Sequence, residues 1–206
     1  MLFSPLTVVL GLTALAFAKD TSLVTVKRAF DDANIPANLN LLFNPKVLLE
    51  VTFPETHGRD ITLKAGIQLP RNATAGPPIF SLFGHAGPGP FVVAAVDPDA
   101  PTPQNPTSAQ IRHFLGGNFF HDFPFLLRNT TPAISNFRQP TPPAGSDPHR
   151  YVFLLFNQPD NFNDQTLVTP ATPVSLFNIS EFASAVGLGE PIGGTFMRVG
   201  PDPSFA

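Results

Sequence analysis

FVVAAVDPDAPTPQNP, residues 91–106, and PPAGSDPHRYVFLLFNQ, residues 142–158, decide the architecture. FVVAAV (91–96) and YVFLLF (151–156) are continuous apolar runs bounded by proline, glycine and asparagine. Runs that short, rich in β-branched and aromatic residues and without alternation, predict central strands buried on both faces. Outward from them, VLLEVTF (47–53), ITLKAGIQL (61–69) and RHFLGGNF (112–119) predict further strands of the same sheet. The sequence predicts helix in only two places. In TVKRAFDDANIP (25–36), Val26, Ala29, Phe30 and Ala33 repeat at helical spacing, Ser22 or Thr25 can cap, and Pro36 stops the helix. In SEFASAVG (180–187), Ser180 caps and Gly187 closes. The expected fold is mainly β: a central antiparallel sheet packed on a smaller sheet, with a few peripheral helices.

Composition narrows the functions. The chain has 206 residues with 25 prolines, 21 phenylalanines, one tyrosine and no cysteine, which excludes disulfide scaffolds, thiolate metal sites and cysteine nucleophiles. Only 13% of residues are charged and the net charge is −3, so a nucleic-acid partner is not expected. The hydrophobic fraction of 43% suits one domain with a full core. Residues 139–148 read as a proline-rich loop within that domain.

Residues 1–18, MLFSPLTVVLGLTALAFA, are uncharged and apolar and end in a small-x-small site, which predicts a signal peptide cleaved before Lys19. The expected organisation is therefore a leader over 1–18 and a single domain over 19–206. Three N-x-S/T sequons, at Asn72, Asn129 and Asn178, fit a secreted glycoprotein without stable membrane insertion of the mature chain.

Chemistry gathers at strand ends. Asp97 and Asp99 follow the strand 91–96; Pro98 pushes Asp97 toward an extended conformation, so the two aspartates are expected to project to the same side. His113 lies in the strand 112–119, and alternation puts His149 and Tyr151 on one face of their strand and Arg150 on the other. A carboxylate, two imidazoles and the one phenol beside glycine and proline loops can line a polar pocket. Aspartate beside proline also favours turns for structural reasons alone, and buried histidine or tyrosine is often only packed. His57, His85 and His121 sit near turn signals and receive no role. Neither an HExxH pair, a G-x-S-x-G elbow, a P-loop nor a dinucleotide fingerprint is present, so no metal, no other cofactor and no catalytic residue is expected.

VDPDAPTPQNP (96–106) and PPAGSDPHRYVFLLFNQ (142–158) resemble the two signatures of the phosphatidylethanolamine-binding protein family. FNPKVLLEVTFP (43–54) is similar to that family's amino-terminal region, and ISEFASAVGLGEPIGGTFM (179–197) to its last helix and strand. The resemblance implies an anion pocket of Asp97, His113, His149 and Tyr151 walled by Pro101 and Pro143. Asp97 would orient and help protonate His113 or receive an ammonium, and Asp99 would pair with Arg150 behind the pocket. Ile111 and Arg112 stand where the family usually has an aromatic and a second histidine, so Arg112 adds charge at the rim or points away. GPDPSFA (200–206) replaces the terminal helix of many members, which implies a more open mouth.

The implied function is non-catalytic binding of a small anion, either phosphate or a phospholipid head group such as phosphatidylethanolamine. The alternatives are a secreted peptidase inhibitor or interaction module, with a secreted peptidase as partner, and a small-molecule hydrolase.

Overall fold

The computed structural model describes residues 19–122 and 124–202. The leader expected over 1–18 lies outside them. Among the described residues no helix is long and apolar enough to cross a membrane.

The chain enters through α1 (Leu23–Asp32), where Ser22 accepts the Thr25 N–H and Val26 and Phe30 face inward. The helix ends before the expected stop: Ala33 caps it, and Pro36 instead lies in the first turn of a short α2 (Ile35–Leu39). A proline there lacks only an N–H that would have been unpaired anyway.

Nine strands follow among the described residues: β1 (Leu48–Phe53), β2 (Ile61–Thr62), β3 (Ile67–Leu69), β4 (Ile79–Phe83), β5 (Phe91–Asp97), β6 (Ile111–Asp122), β7 (Leu126–Asn129), β8 (His149–Asn157) and β9 (Gly193–Val199). Their order is β2-β1-β4-β7-β6-β5-β8-β9-β3. Pairing is antiparallel except between β3 and β9.

The two sheet layers read from the sequence are joined through β6 and β7 into one curled sheet. Its two edges, β2 and β3, come from ITLKAGIQL, which is a pair of short strands instead of the single one expected. Leu63 still donates to the Val51 carbonyl at 2.9 Å, while Gly66 donates to Phe196 at 2.8 Å. Gly66 has φ +88, so the chain turns between the two edges where a side chain would be strained.

Curling creates two apolar cores on opposite faces of β5 and β8. Val92, Ala94, Val96, Val152, Leu154 and Phe156 pack against the helices, with Phe30, Phe43 and Phe182. Phe91, Val93, Ala95, Phe153 and Leu155 meet Leu49, Val51, Phe80 and Leu82 of the other layer. Every residue of β5 is buried, as its unbroken apolar run predicts.

The second helix, α3 (Ile179–Val186), starts two residues earlier than a Ser180 cap implies and is capped by Asn178, whose side chain accepts from the Ser180 and Glu181 N–H groups. Ser180 itself donates its hydroxyl to Asn178 at 2.9 Å. Gly187, in the left-handed region at φ 75, closes the helix as read.

Candidate functional site

Antiparallel pairing of β6, β5 and β8 brings the last residue of β5 beside the first residues of its neighbours. Asp97 pairs with Ile111 and Val96 with Val152. Asp97, His113, His149 and Tyr151 therefore converge at one end of the central strands. Pro101 comes from the segment after β5, and Pro143, Arg138, Gln139 and Thr141 from the segment before β8; all line one cavity of about 570 Å³.

His113 owes its position to a bulge. Ala95 pairs with Phe114 and Val96 with Arg112, leaving His113 as the extra residue of β6. A bulge re-aims side chains, and here the consecutive His113 and Phe114 both turn toward the second core. The His113 ring meets Tyr151 edge-on, with centroids 4.9 Å apart. Its carbonyl accepts the Arg138 N–H at 2.8 Å, and its Nδ1 lies 2.8 Å from the Arg138 carbonyl. A carbonyl only accepts, so Nδ1 carries a proton and Nε2 is left for the cavity. Burial pushes the His113 pKa below the usual imidazole value, against the pull of the Arg138 carbonyl and the Asp97 charge.

His149 is in the opposite state. Its Nδ1 lies 2.8 Å from Asp97 Oδ2, and its Nε2 faces the Pro101 carbonyl at 3.1 Å and Ser146 Oγ at 2.9 Å. Ser146 directs its hydroxyl proton to the Asp147 carbonyl, so both ring nitrogens face acceptors and the imidazolium satisfies them all. Burial opposes the charge, but the hydrogen bond and charge of Asp97, aided by Asp99 and the Pro101 carbonyl, lift the His149 pKa above its ordinary value. Asp97 thus holds His149, not His113. The expected pairing fails because the bulge carries the His113 ring over Tyr151 while its Nδ1 is fixed by Arg138.

Asp97 and Asp99 also point to opposite sides, contrary to the extended reading. The chain turns at Pro98, and Asp97 Oδ1 accepts the Asp99 N–H at 2.7 Å. That turn sends Asp99 to Arg150, which donates its backbone N–H at 2.7 Å and its Nε at 2.9 Å. Arg150 also donates to Asn38 at 2.9 Å, tying α2 to the back of the site. The expected Asp99–Arg150 pair is present.

Tyr151 is buried, and burial together with the Asp97 charge pushes its phenol pKa up, so it stays protonated as a donor; the Thr141 backbone amide also reaches its oxygen. Arg112 points away from the cavity. Only 1% exposed, it donates to Ser135 at 2.7 Å and to the Thr172 and Pro173 carbonyls, and lies over the Phe177 ring.

Sequence reasoning missed Arg138. Arg138 lines the cavity, is exposed, and its charge acts on His113, but it stands outside both signature stretches, so no local pattern marks it. The hydrogen bonds around His149 also bear on metal binding: the nitrogens of Asp97's partner are directed at Asp97 and Pro101 instead of a common point. Among the described residues no group of three histidine, aspartate or glutamate side chains is placed to hold an ion.

A sequence profile of the family described as Phosphatidylethanolamine-binding protein matches residues 54–197. Protein FLOWERING LOCUS T of Arabidopsis thaliana is 31% identical over 155 residues, covering 75% of this chain and 80% of the relative. Among solved structures, a carboxypeptidase Y inhibitor complexed with its cognate proteinase superposes with a TM-score of 0.71 at 20% identity, over 92% of this chain and 98% of the inhibitor. The phosphatidylethanolamine-binding protein from Plasmodium vivax superposes with a TM-score of 0.69 at 15% identity, over 85% and 97% of the two chains. These structures share the fold of this protein, and with the profile spanning both signature regions, the chain belongs to the phosphatidylethanolamine-binding protein family.

Proposed function

We propose that the cavity binds a small anionic group, the phosphate of a lipid head group or of another phosphorylated ligand, without catalysing a reaction on it. The observation that carries this reading is that Tyr151, a phenol donor, and the cationic Arg138 line one cavity beside His113, and that the cavity's carboxylate is neutralised by His149. Donors facing a low-dielectric recess hold an anion more strongly than the same groups in water. Titration of the protein with inorganic phosphate, followed by the His113 and Tyr151 ring resonances, tests it: saturable shifts are expected, and none would refute it.

Ser146, His149 and Asp97 stand in the order a serine hydrolase needs. The proton flow is wrong for one: Nε2–H donates to Ser146, and a protonated imidazole cannot take the serine proton. Labelling of Ser146 by a fluorophosphonate would overturn the non-catalytic reading. The inhibitor role in the name of the carboxypeptidase Y complex offers a second reading, with a secreted peptidase as partner, and it rests on shared fold. A carboxypeptidase inhibition assay tests it directly.

Secretion is part of the same proposal. Asp20, the second residue after the proposed cleavage site, is buried and accepts from Ala65 N–H at 2.9 Å and Thr195 Oγ1 at 3.3 Å, so cleavage there would leave the packed Asp20 in the mature chain. Asn72, Asn129 and Asn178 are all exposed. Mass spectrometry of protein secreted from a eukaryotic host should find an amino terminus near Lys19 and mass lost on deglycosylation; an unglycosylated chain beginning at Met1 would refute it.

A further inference from the structure

The charges around the cavity are unevenly paired. Its one lining carboxylate, Asp97, is 2% exposed; Oδ2 is held by His149 at 2.8 Å and Oδ1 by the Asp99 N–H at 2.7 Å. Asp99 is paired with Arg150 behind the wall, and Asp147, which is not among the lining residues, accepts from Gln104. A ligand ammonium entering the cavity would meet an imidazolium before it met an available carboxylate. Of the nearby cations, His149 balances Asp97 and Arg71 is paired with Asp202. Arg138 lines the cavity, is exposed, and has no ion pair among the described residues. Its main chain clamps His113 through two 2.8 Å hydrogen bonds, so Arg138 is rooted on a fixed segment beside that ring, and its charge is felt by the imidazole.

We infer that Arg138 makes this cavity select a phosphomonoester, whose terminal phosphate carries up to two negative charges and no attached ammonium, over a zwitterionic phosphodiester head group. The inference rests on the anion-binding reading above. Guanidinium and a terminal phosphate can form two parallel charge-assisted hydrogen bonds, whereas a diester offers a single charge and brings its ammonium against His149. His113, protonated on Nδ1, presents an Nε2 lone pair that accepts a P–OH, which a monoester in its singly ionised form has and a diester lacks.

Calorimetric titration at pH 7 with glycerol 3-phosphate and with glycerophosphoethanolamine, on wild type, Arg138→Gln and Arg138→Lys, tests this. The wild type should bind the monoester at least about tenfold more tightly, Arg138→Gln should bring the two affinities within about twofold, and Arg138→Lys should keep a preference. The Arg138 side chain is exposed and its clamp on His113 is main-chain, so the variants keep the fold. Equal wild-type affinities with His113 resonances shifted by both ligands would overturn the selectivity and leave the anion pocket standing. A preference that persists in Arg138→Gln would remove Arg138 from the role. Failure of both ligands to bind or to move His113 would overturn the pocket reading and this inference together.

Discussion

Asp97 and His149 form a buried ion pair, Oδ2 to Nδ1 at 2.8 Å, across the end of the two central strands. The aspartate's other oxygen takes the Asp99 N–H, so each oxygen faces a donor. Asp97→Asn puts an amide NH₂ against one of those two donors and removes the counter-charge of a buried imidazolium. The expected cost is about 3 kcal/mol or more in chemical denaturation. The His149 pKa should fall in the variant, as followed by its ring nitrogen resonances; an unchanged pKa would mean that the carboxylate does not sustain the charge.

Stability should depend on pH through both histidines, with opposite signs. His149 has a folded pKa above its unfolded value of 6.5, so the folded state keeps a proton that the unfolded chain releases. Its contribution is fully present below about pH 6.5 and is lost as pH rises through the folded value. His113 has a folded pKa below 6.5, so acidification below that value favours the unfolded chain until the folded group protonates as well. His149→Gln should remove part of the alkaline decline and His113→Gln part of the acidic one in denaturation midpoints taken from pH 4 to pH 9. Exchanged effects would reverse the two charge assignments.

Gly194 approaches β8 closely: a Cβ there would lie 2.7 Å from the Phe153 carbonyl and 3.2 Å from the Phe30 ring. Backbone cannot withdraw as a flexible side chain can, so Gly194→Ala should cost about 1–3 kcal/mol. Gly58→Ala, with no atom within 4 Å of the added Cβ, is limited to the strain of its positive φ and isolates the packing effect. Equal losses would place the cost of Gly194→Ala in something other than contact.

The central strands were legible because burial on both faces leaves no polar residue in FVVAAV or VFLLF, and the face assignment of His149, Arg150 and Tyr151 followed from the pleat alone. What alternation does not encode is an irregularity. The bulge at His113 and the turn at Pro98 each break the period of two, and both moved an acid–base partner. The division of ITLKAGIQL between opposite sheet edges depends on the curl of the whole sheet, to which Gly66 contributes only the local turn. Arg138 was invisible for another reason: its place on the cavity comes from a main-chain clamp to His113, 25 residues away, which no local pattern encodes.

Tyr151→Phe separates binding from folding. The ring packs against His113 and belongs to the second core, and both contacts survive the substitution. The hydroxyl is the part that faces the cavity, where burial keeps it protonated and therefore able to donate to an anion. Loss of one such donor should weaken binding of inorganic phosphate by about 1–2 kcal/mol, roughly five- to thirtyfold in Kd, because hydrogen bonds to charged groups exceed neutral ones. Stability should change by less, since the Thr141 amide that reaches the phenol oxygen belongs to an exposed residue. His57→Ala, at an exposed site outside the cavity, should leave the titration unchanged. An unaltered phosphate Kd in Tyr151→Phe would take the phenol out of the anion site, whereas a large loss of stability with equal loss of binding would assign it to packing.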